Sequence, residues 1–314
     1  MNKNIYLNCR SGLGDRLLDV IGFYVFCKIL NYKPHINFNS KQYYCPWGNY
    51  DVRLFNFNNE IELFDNNIPK NQTNYSLHPV KPSSSLSPPI LYKLLESNDI
   101  NNLDFKKFSQ EYMKYAKEVI KPSNIVESRI PKNIEKAYGI HLRKTDKVNN
   151  NGDLFCVNTK DEFTIIISKL MEYIKNIIKY EEEPTFLLVS EEDEWKNKIL
   201  QMIKHFAGDK NIIFLNINYN DIYLEGFKSV VDMFSLSRCK NILQGVKYSS
   251  FSVLAALLGN NNLINFTKYI ENKENTQKSM IHLWKSVIKL EELYDNINYE
   301  DVNIEIPICV TNIV

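Results

Sequence analysis

Glycine is scarce in this 314-residue chain: there are 10, about 3% of the residues, where an ordinary domain carries roughly 7%. Asparagine, lysine and isoleucine are abundant instead, a bias expected of A/T-rich codons. The few glycines that remain are therefore informative. Net charge is also nearly absent, with 38 Lys+Arg against 37 Asp+Glu and a formal charge of +1. That balance excludes a nucleic-acid binder working by broad charge neutralisation, although a local anion site stays open. No apolar run approaches the ~18 residues of a membrane span. The opening Met1–Leu7 is too short and too mixed for a signal-peptide core and is expected to be a first strand.

Metal-ligand spacing is missing as well. The five histidines are far apart, and the six cysteines (Cys9, Cys27, Cys45, Cys156, Cys239, Cys309) form no CxxC pair. Reduced, mostly buried thiols of a cytoplasmic protein are expected, with no metal and no cofactor. Sequons at Asn71, Asn74 and Asn265 are expected by chance in so asparagine-rich a chain. At 44% apolar and 24% charged residues the chain is globular, and its length suggests two domains.

What is present is an alternation of short strands and helices. Ile5–Asn8 suggests a strand, Arg16–Asn31 a long apolar helix and His35–Phe38 a second strand. Residues 40–100 look irregular. A helix is expected over 105–120, then a proline-containing linker over 121–133. A second series follows. Strands are expected at 137–142, 185–189, 212–215, 241–244 and 263–265, and helices at 161–180, 194–206, 229–238 and 250–258. This pattern predicts a doubly wound parallel α/β sheet, whose ligands sit at the carboxyl ends of its strands. A late helix is expected over 279–293.

Three segments carry the chemistry. Ser11-Gly12-Leu13-Gly14-Asp15-Arg16 joins the first strand to the first helix. Its glycines permit a tight turn and close backbone approach to a ligand at a helix N-terminus; the same residues also fit a plain turn with Asp15 as cap. Gly139-Ile140-His141-Leu142-Arg143-Lys144-Thr145-Asp146-Lys147 ends a strand with three cations and a histidine. Strand alternation puts His141 and Arg143 on one side, and the cluster suits a diphosphate; a basic surface turn is the other reading. In the third segment, Asp232 lies in an otherwise apolar helix. It could accept two hydrogen bonds from a guanine edge or face solvent. Ser249-Ser250-Phe251-Ser252 then caps the next helix, where hydroxyls and N–H groups can hold phosphate.

These segments, in this order, resemble the fucosyltransferase superfamily of inverting glycosyltransferases. The α1,6 group carries His-x-Arg-Arg-Thr-Asp-Lys, which stands here as His141 to Lys147. The α1,2 group has a glycine-rich first turn similar to Ser11–Arg16. It also has a Ser-Asp-Asp segment near a tryptophan, similar to Ser190–Trp195, and an Asp-containing helix and Ser-Ser-Phe-Ser turn like Asp232–Cys239 and Ser249–Ser252. The likeness covers the first ~30 residues and most of 137–260.

The resemblance implies a GT-B-like fold, two Rossmann-like domains facing each other across a cleft. The expected division is an acceptor-side domain over 1–125, a nucleotide-sugar domain over 126–278 and a helix and tail over 279–314. It implies metal-independent transfer of fucose from GDP-fucose to a glycan or glycoconjugate hydroxyl with inversion. Arg143 would hold the β-phosphate, Ser249 and Ser250 the phosphates, Asp232 the guanine and His141 the nucleoside. Gly12, Gly14, Arg16, Lys144 and Lys147 would complete the donor site. The α1,6 group has a glutamate four residues after the motif lysine; Asn151 stands there, so the base lies between Asp153 and Asp15. Another sugar nucleotide, or a non-catalytic nucleotide- or glycan-binding relative, is the alternative. Tyr43, Tyr44, Trp47 and Tyr50 could stack on acceptor sugars or serve as packing.

Overall fold

The computed structural model describes residues 4–9, 12–39, 49–64, 74–75, 105–143, 160–246, 249–266 and 289–292. Two parallel sheets organise the chain. The first has strand order β4-β2-β1-β5, built from β1 (Asn4–Asn8), β2 (Lys33–Asn37), β4 (Glu62–Leu63) and β5 (Asn74–Tyr75). Helix α1 (Leu13–Leu30) crosses from β1 to the parallel β2. The second sheet has six parallel strands in the order β12-β11-β10-β7-β8-β9. They are β7 (Tyr138–Leu142), β8 (Thr185–Ser190), β9 (Ile213–Leu215), β10 (Asn241–Gln244), β11 (Asn262–Asn265) and β12 (Lys289–Glu292). Its crossovers are α4 (Lys160–Tyr180), α5 (Asp193–Ala207), α6 (Phe227–Leu236) and α7 (Ser250–Gly259).

Period-two alternation decides which layer each strand residue joins. Phe186, Leu188, Leu243 and Ile264 pack with Ile140 and Leu142 under α4 and α5. Their neighbours Leu187, Val189, Ile242 and Leu263 point the other way, into a cluster with α6 and α7. Both faces of the sheet are covered by helices, as the continuous apolar runs predict. The α6/α7 cluster continues into the first half of the chain. It takes in Leu17, Leu18, Val20 and Ile21 of α1, Tyr112 and Ala116 of α2 (Phe105–Val119), and Leu7 and Ile36 of the first sheet. Helix α1 is thus shared by the two sheets, and the Tyr112 hydroxyl ties α2 to it by donating to the Leu18 carbonyl at 3.3 Å.

The structure differs from expectation at several places. Helix α1 begins at Leu13, with Gly12 as its extended N-terminal cap, so Gly14, Asp15 and Arg16 lie in its first turn. Paired glycines suggested a loop because isolated glycine lowers helix propensity; here close packing requires it. The irregular stretch holds a short 3-10 turn (Val52–Leu54) and β3 (Phe55–Phe57) as well as β4 and β5. The expected linker holds a helix, α3 (Asn124–Glu127), and the end of β6 (Ile120–Pro122), which pairs antiparallel with β3. Residues 289–292, expected to be helical, form β12, aligned in parallel on β11 from Asn262↔Lys289 to Asn265↔Glu292. So short a window fits either period, and backbone pairing with the sheet decided it.

Among the described residues, no helix is long and apolar enough to cross a membrane. Cys9, Cys27 and Cys239 are buried with free thiols, and burial pushes each thiol up.

The shared core predicts a clear contrast. Leu17→Ala, at a fully buried position of α1, should cost about 2–5 kcal/mol. Lys28→Ala, which breaks the exposed ion pair to Glu60 on the same helix, should cost under about 1 kcal/mol. Urea unfolding of the two variants measures both, and equal costs would contradict the placement of α1.

Candidate functional site

The described parts of the three segments singled out by sequence converge at the carboxyl edge of the second sheet. Helix α1 starts against the start of α7. A Cβ on Gly14 would lie 2.5 Å from the Phe251 nitrogen and 2.7 Å from the Ser250 carbonyl carbon, so only glycine allows the approach. Two helix N-termini, each the positive end of its helix dipole, therefore meet at one point. Ser249, the cap residue of α7, is buried, and its Oγ has no hydrogen-bond partner among the described residues. A buried hydroxyl without a partner costs about 1–3 kcal/mol, and a ligand oxygen would satisfy it.

His141 comes to the same place from β7. Its parity puts it on the α6/α7 face together with Gly139, whose added Cβ would strike Leu236 and Cys239. The imidazole stacks on Phe251 with ring centroids 4.9 Å apart, and its Nδ1 lies 2.6 Å from the Ser252 Oγ. Burial, reinforced by the positive charges of Arg143 and Lys228, pushes its pKa down to about 3. His141 is therefore neutral at physiological pH and holds its place by hydrogen bond and stacking. Arg143 follows the residue of β7 that pairs with Ser190 of β8. It is half-buried, and its Nε lies 3.8 Å from the Glu191 carboxylate, a loose ion pair across the two strand ends.

Asp232 is neither solvent-facing nor open at both oxygens. It is 3% exposed in the middle of α6. Its Oδ1 accepts from the Tyr219 hydroxyl, and its Oδ2 accepts from the Lys228 ammonium at 2.9 Å. Burial pushes its carboxyl up, against the opposing pull of Lys228 and of both hydrogen bonds. Lys228 also donates to the Ser190 carbonyl at 3.1 Å. The sequence reading missed Lys228 and Tyr219. The spacing of Lys228 four residues before Asp232 is the signal that could have found the lysine. It also missed Ser252 and Phe251 as the neighbours of His141.

Arg16 is buried in the first turn of α1. Its guanidinium donates to Asn39 at 2.9 Å and lies over the rings of Tyr50 (4.8 Å) and Phe38 (5.5 Å). Tyr50 accepts the Leu13 N–H at 3.1 Å and packs against Gly226, whose left-handed φ of +75° precedes α6. Tyr50 is thus buried packing, not a sugar platform. Asp15 is half-buried, one residue past the Gly14 contact. Lys144, Lys147, Asp153, Tyr43, Tyr44 and Trp47 lie outside the described residues. Among the described residues, no group of three or more His, Cys, Asp and Glu side chains is placed to hold a metal ion.

The low pKa of His141 has a stability consequence. Between about pH 6.5 and pH 3 the unfolded chain binds a proton at this histidine that the folded chain does not. Stability from this group is full above pH 6.5 and falls as the pH drops, by about 2 kcal/mol at pH 5. His141→Gln, whatever its stability at pH 7, should lose less between pH 7 and pH 5 than the parent. Parallel pH profiles would contradict the burial.

No known family profile matches the sequence, and no curated protein matches it. Solved structures do match in fold. The α-1,6-fucosyltransferase NodZ soaked with GDP-fucose aligns over 82% of this chain and 93% of its own, with 13% identity and a TM-score of 0.50. Selenomethionine NodZ from Bradyrhizobium gives 12% identity over 82% and 92%, at 0.50. A variant of FUT1 from Arabidopsis thaliana in complex with GDP gives 12% identity over 84% and 70%, at 0.53. The chain therefore has a fucosyltransferase-like fold, a mixed α/β architecture of the GT-B-like kind.

Proposed function

We propose that the protein is a glycosyltransferase that moves fucose from GDP-fucose to a hydroxyl of a glycan acceptor, with inversion and without a metal ion. One observation carries the reading: the N-termini of α1 and α7 meet at Gly14, beside Arg143 and His141, at the carboxyl edge of a parallel sheet. That is where such sheets bind ligands, and the groups gathered there favour an anion. Of the neighbours in fold, NodZ was soaked with GDP-fucose and the FUT1 variant is in complex with GDP.

The chemistry assigns tasks to these groups. In an inverting transfer the acceptor oxygen attacks the anomeric carbon from the face opposite the phosphate. The new carbon–oxygen bond forms as the sugar–phosphate bond breaks, and the electron pair leaves on GDP. The developing charge on the phosphate needs fixed positive partners. Arg143 can fork onto two phosphate oxygens as a lysine cannot. The helix N-termini and the Ser249 hydroxyl supply further donors. The acceptor's proton goes to a carboxylate, with Asp15 and Asp153 as the two proposed bases. His141 is assigned to orienting the nucleoside, because a group titrating at about 3 is too weak a base for this step. Gly12 and Gly14 allow the backbone to approach, and Arg16 holds the turn that presents them.

Millimolar GDP should raise the melting temperature by several degrees, with UDP and dTDP giving much less. Arg143→Ala should remove the GDP effect while leaving the unliganded melting temperature near that of the parent. Transfer from GDP-fucose to a glycan panel should give the inverted anomer and survive EDTA. No stabilisation by GDP would overturn the reading, and equal stabilisation by UDP would point to another sugar nucleotide.

A further inference from the structure

The family resemblance implies that Asp232 reads guanine, yet the structure buries this carboxylate and engages both its oxygens within the protein. The exposed member of the cluster is Lys228, whose side chain is 46% accessible. An ammonium has three N–H donors. One goes to Asp232 Oδ2 at 2.9 Å and one to the Ser190 carbonyl at 3.1 Å. Two fixed acceptors, one on α6 and one at the end of β8, thus hold the charge in place and leave a third donor for another acceptor. The Tyr219 ring, 5.1 Å from the ammonium, further confines it.

The location fits an anion. Ser190 pairs in register with Leu142, so Arg143 and the Lys228 ammonium flank neighbouring strand ends on the same sheet edge. The charges of both act on His141.

We propose that Lys228 is a binding residue of the donor site. Its ammonium, fixed by Asp232 and the Ser190 carbonyl, donates its remaining N–H to the leaving diphosphate beside Arg143, and Asp232 is a positioning residue acting through it. The inference rests on the donor-site reading above and adds to it a second fixed cation and a different task for Asp232. An arginine or lysine hydrogen-bonded to phosphate is charge-assisted, so its loss should be felt in proportion to ligand charge. A carboxylate contacting guanine directly would be felt in the base whether or not phosphate is attached.

Calorimetric titration with GDP, GMP and guanosine separates the two. Lys228→Met alone would leave Asp232 as a buried uncompensated carboxylate, so the double variant Lys228→Met/Asp232→Asn is measured beside it, with Lys228→Arg as the conservative control. The double variant should weaken GDP by about ten- to a hundredfold and GMP by less, and leave guanosine unchanged. Lys228→Arg should restore most of the GDP affinity, and Asp232→Asn alone should give a smaller loss of the same pattern. Thermal melting of each variant confirms folding. Equal weakening of GDP and guanosine would overturn the proposal in favour of direct contact between Asp232 and the base. Unchanged GDP affinity in the double variant would overturn it outright. Failure of the parent chain itself to bind GDP would overturn the donor-site reading, and the proposal with it.

Discussion

The constraint on which the site rests is the approach of α1 to α7. Gly14 sits where any side chain would collide with the backbone of Ser250 and Phe251. The geometry of the site depends on that contact. It brings the first βα turn of the N-terminal sheet to the carboxyl edge of the second sheet, and it places two helix N-termini side by side. Below it, Leu17, Leu18 and Ile21 of α1 continue into the same apolar cluster as Leu254 and Leu257 of α7. The packing that holds the helices together and the geometry that presents their N–H groups are one feature.

Electrostatics at the edge follow from burial. His141 is kept neutral because desolvation and two nearby cations penalise its charged form. Asp232 faces the opposite pull: burial raises its pKa, while Lys228 and Tyr219 favour the carboxylate. The result is a histidine that orients without carrying charge and a lysine held by a carboxylate within the same few strand ends. Arg143 stays half-buried, its Nε 3.8 Å from the exposed Glu191 carboxylate.

The second sheet was visible in the sequence because its strands are buried on both faces and its crossover helices have strong period. Thr185–Ser190 and Asn241–Gln244 were recognisable as continuous short apolar runs between turn residues. The first sheet was visible only through β1, α1 and β2. Strands β4 and β5 are two residues each, too short for any period, and β12 depends on a partner strand more than twenty residues away in sequence. His141, Arg143 and the Ser249–Ser252 turn stood out because strong polar groups at strand ends and helix caps need a reason to be there. Lys228 did not, because a lysine in a first helical turn is ordinary until its acceptors are known. By residue type alone Tyr50 fitted either a sugar platform or packing; its contacts with Arg16 and Gly226 place it in the packing.

A crystal structure of the chain with GDP bound tests the central claim most directly. The account predicts the diphosphate at the α1/α7 junction, within hydrogen-bond distance of Arg143 and of the N–H groups that open α7, with the base on the His141 side. A diphosphate bound away from Gly14 and the start of α7, or at the opposite edge of the sheet, would contradict it.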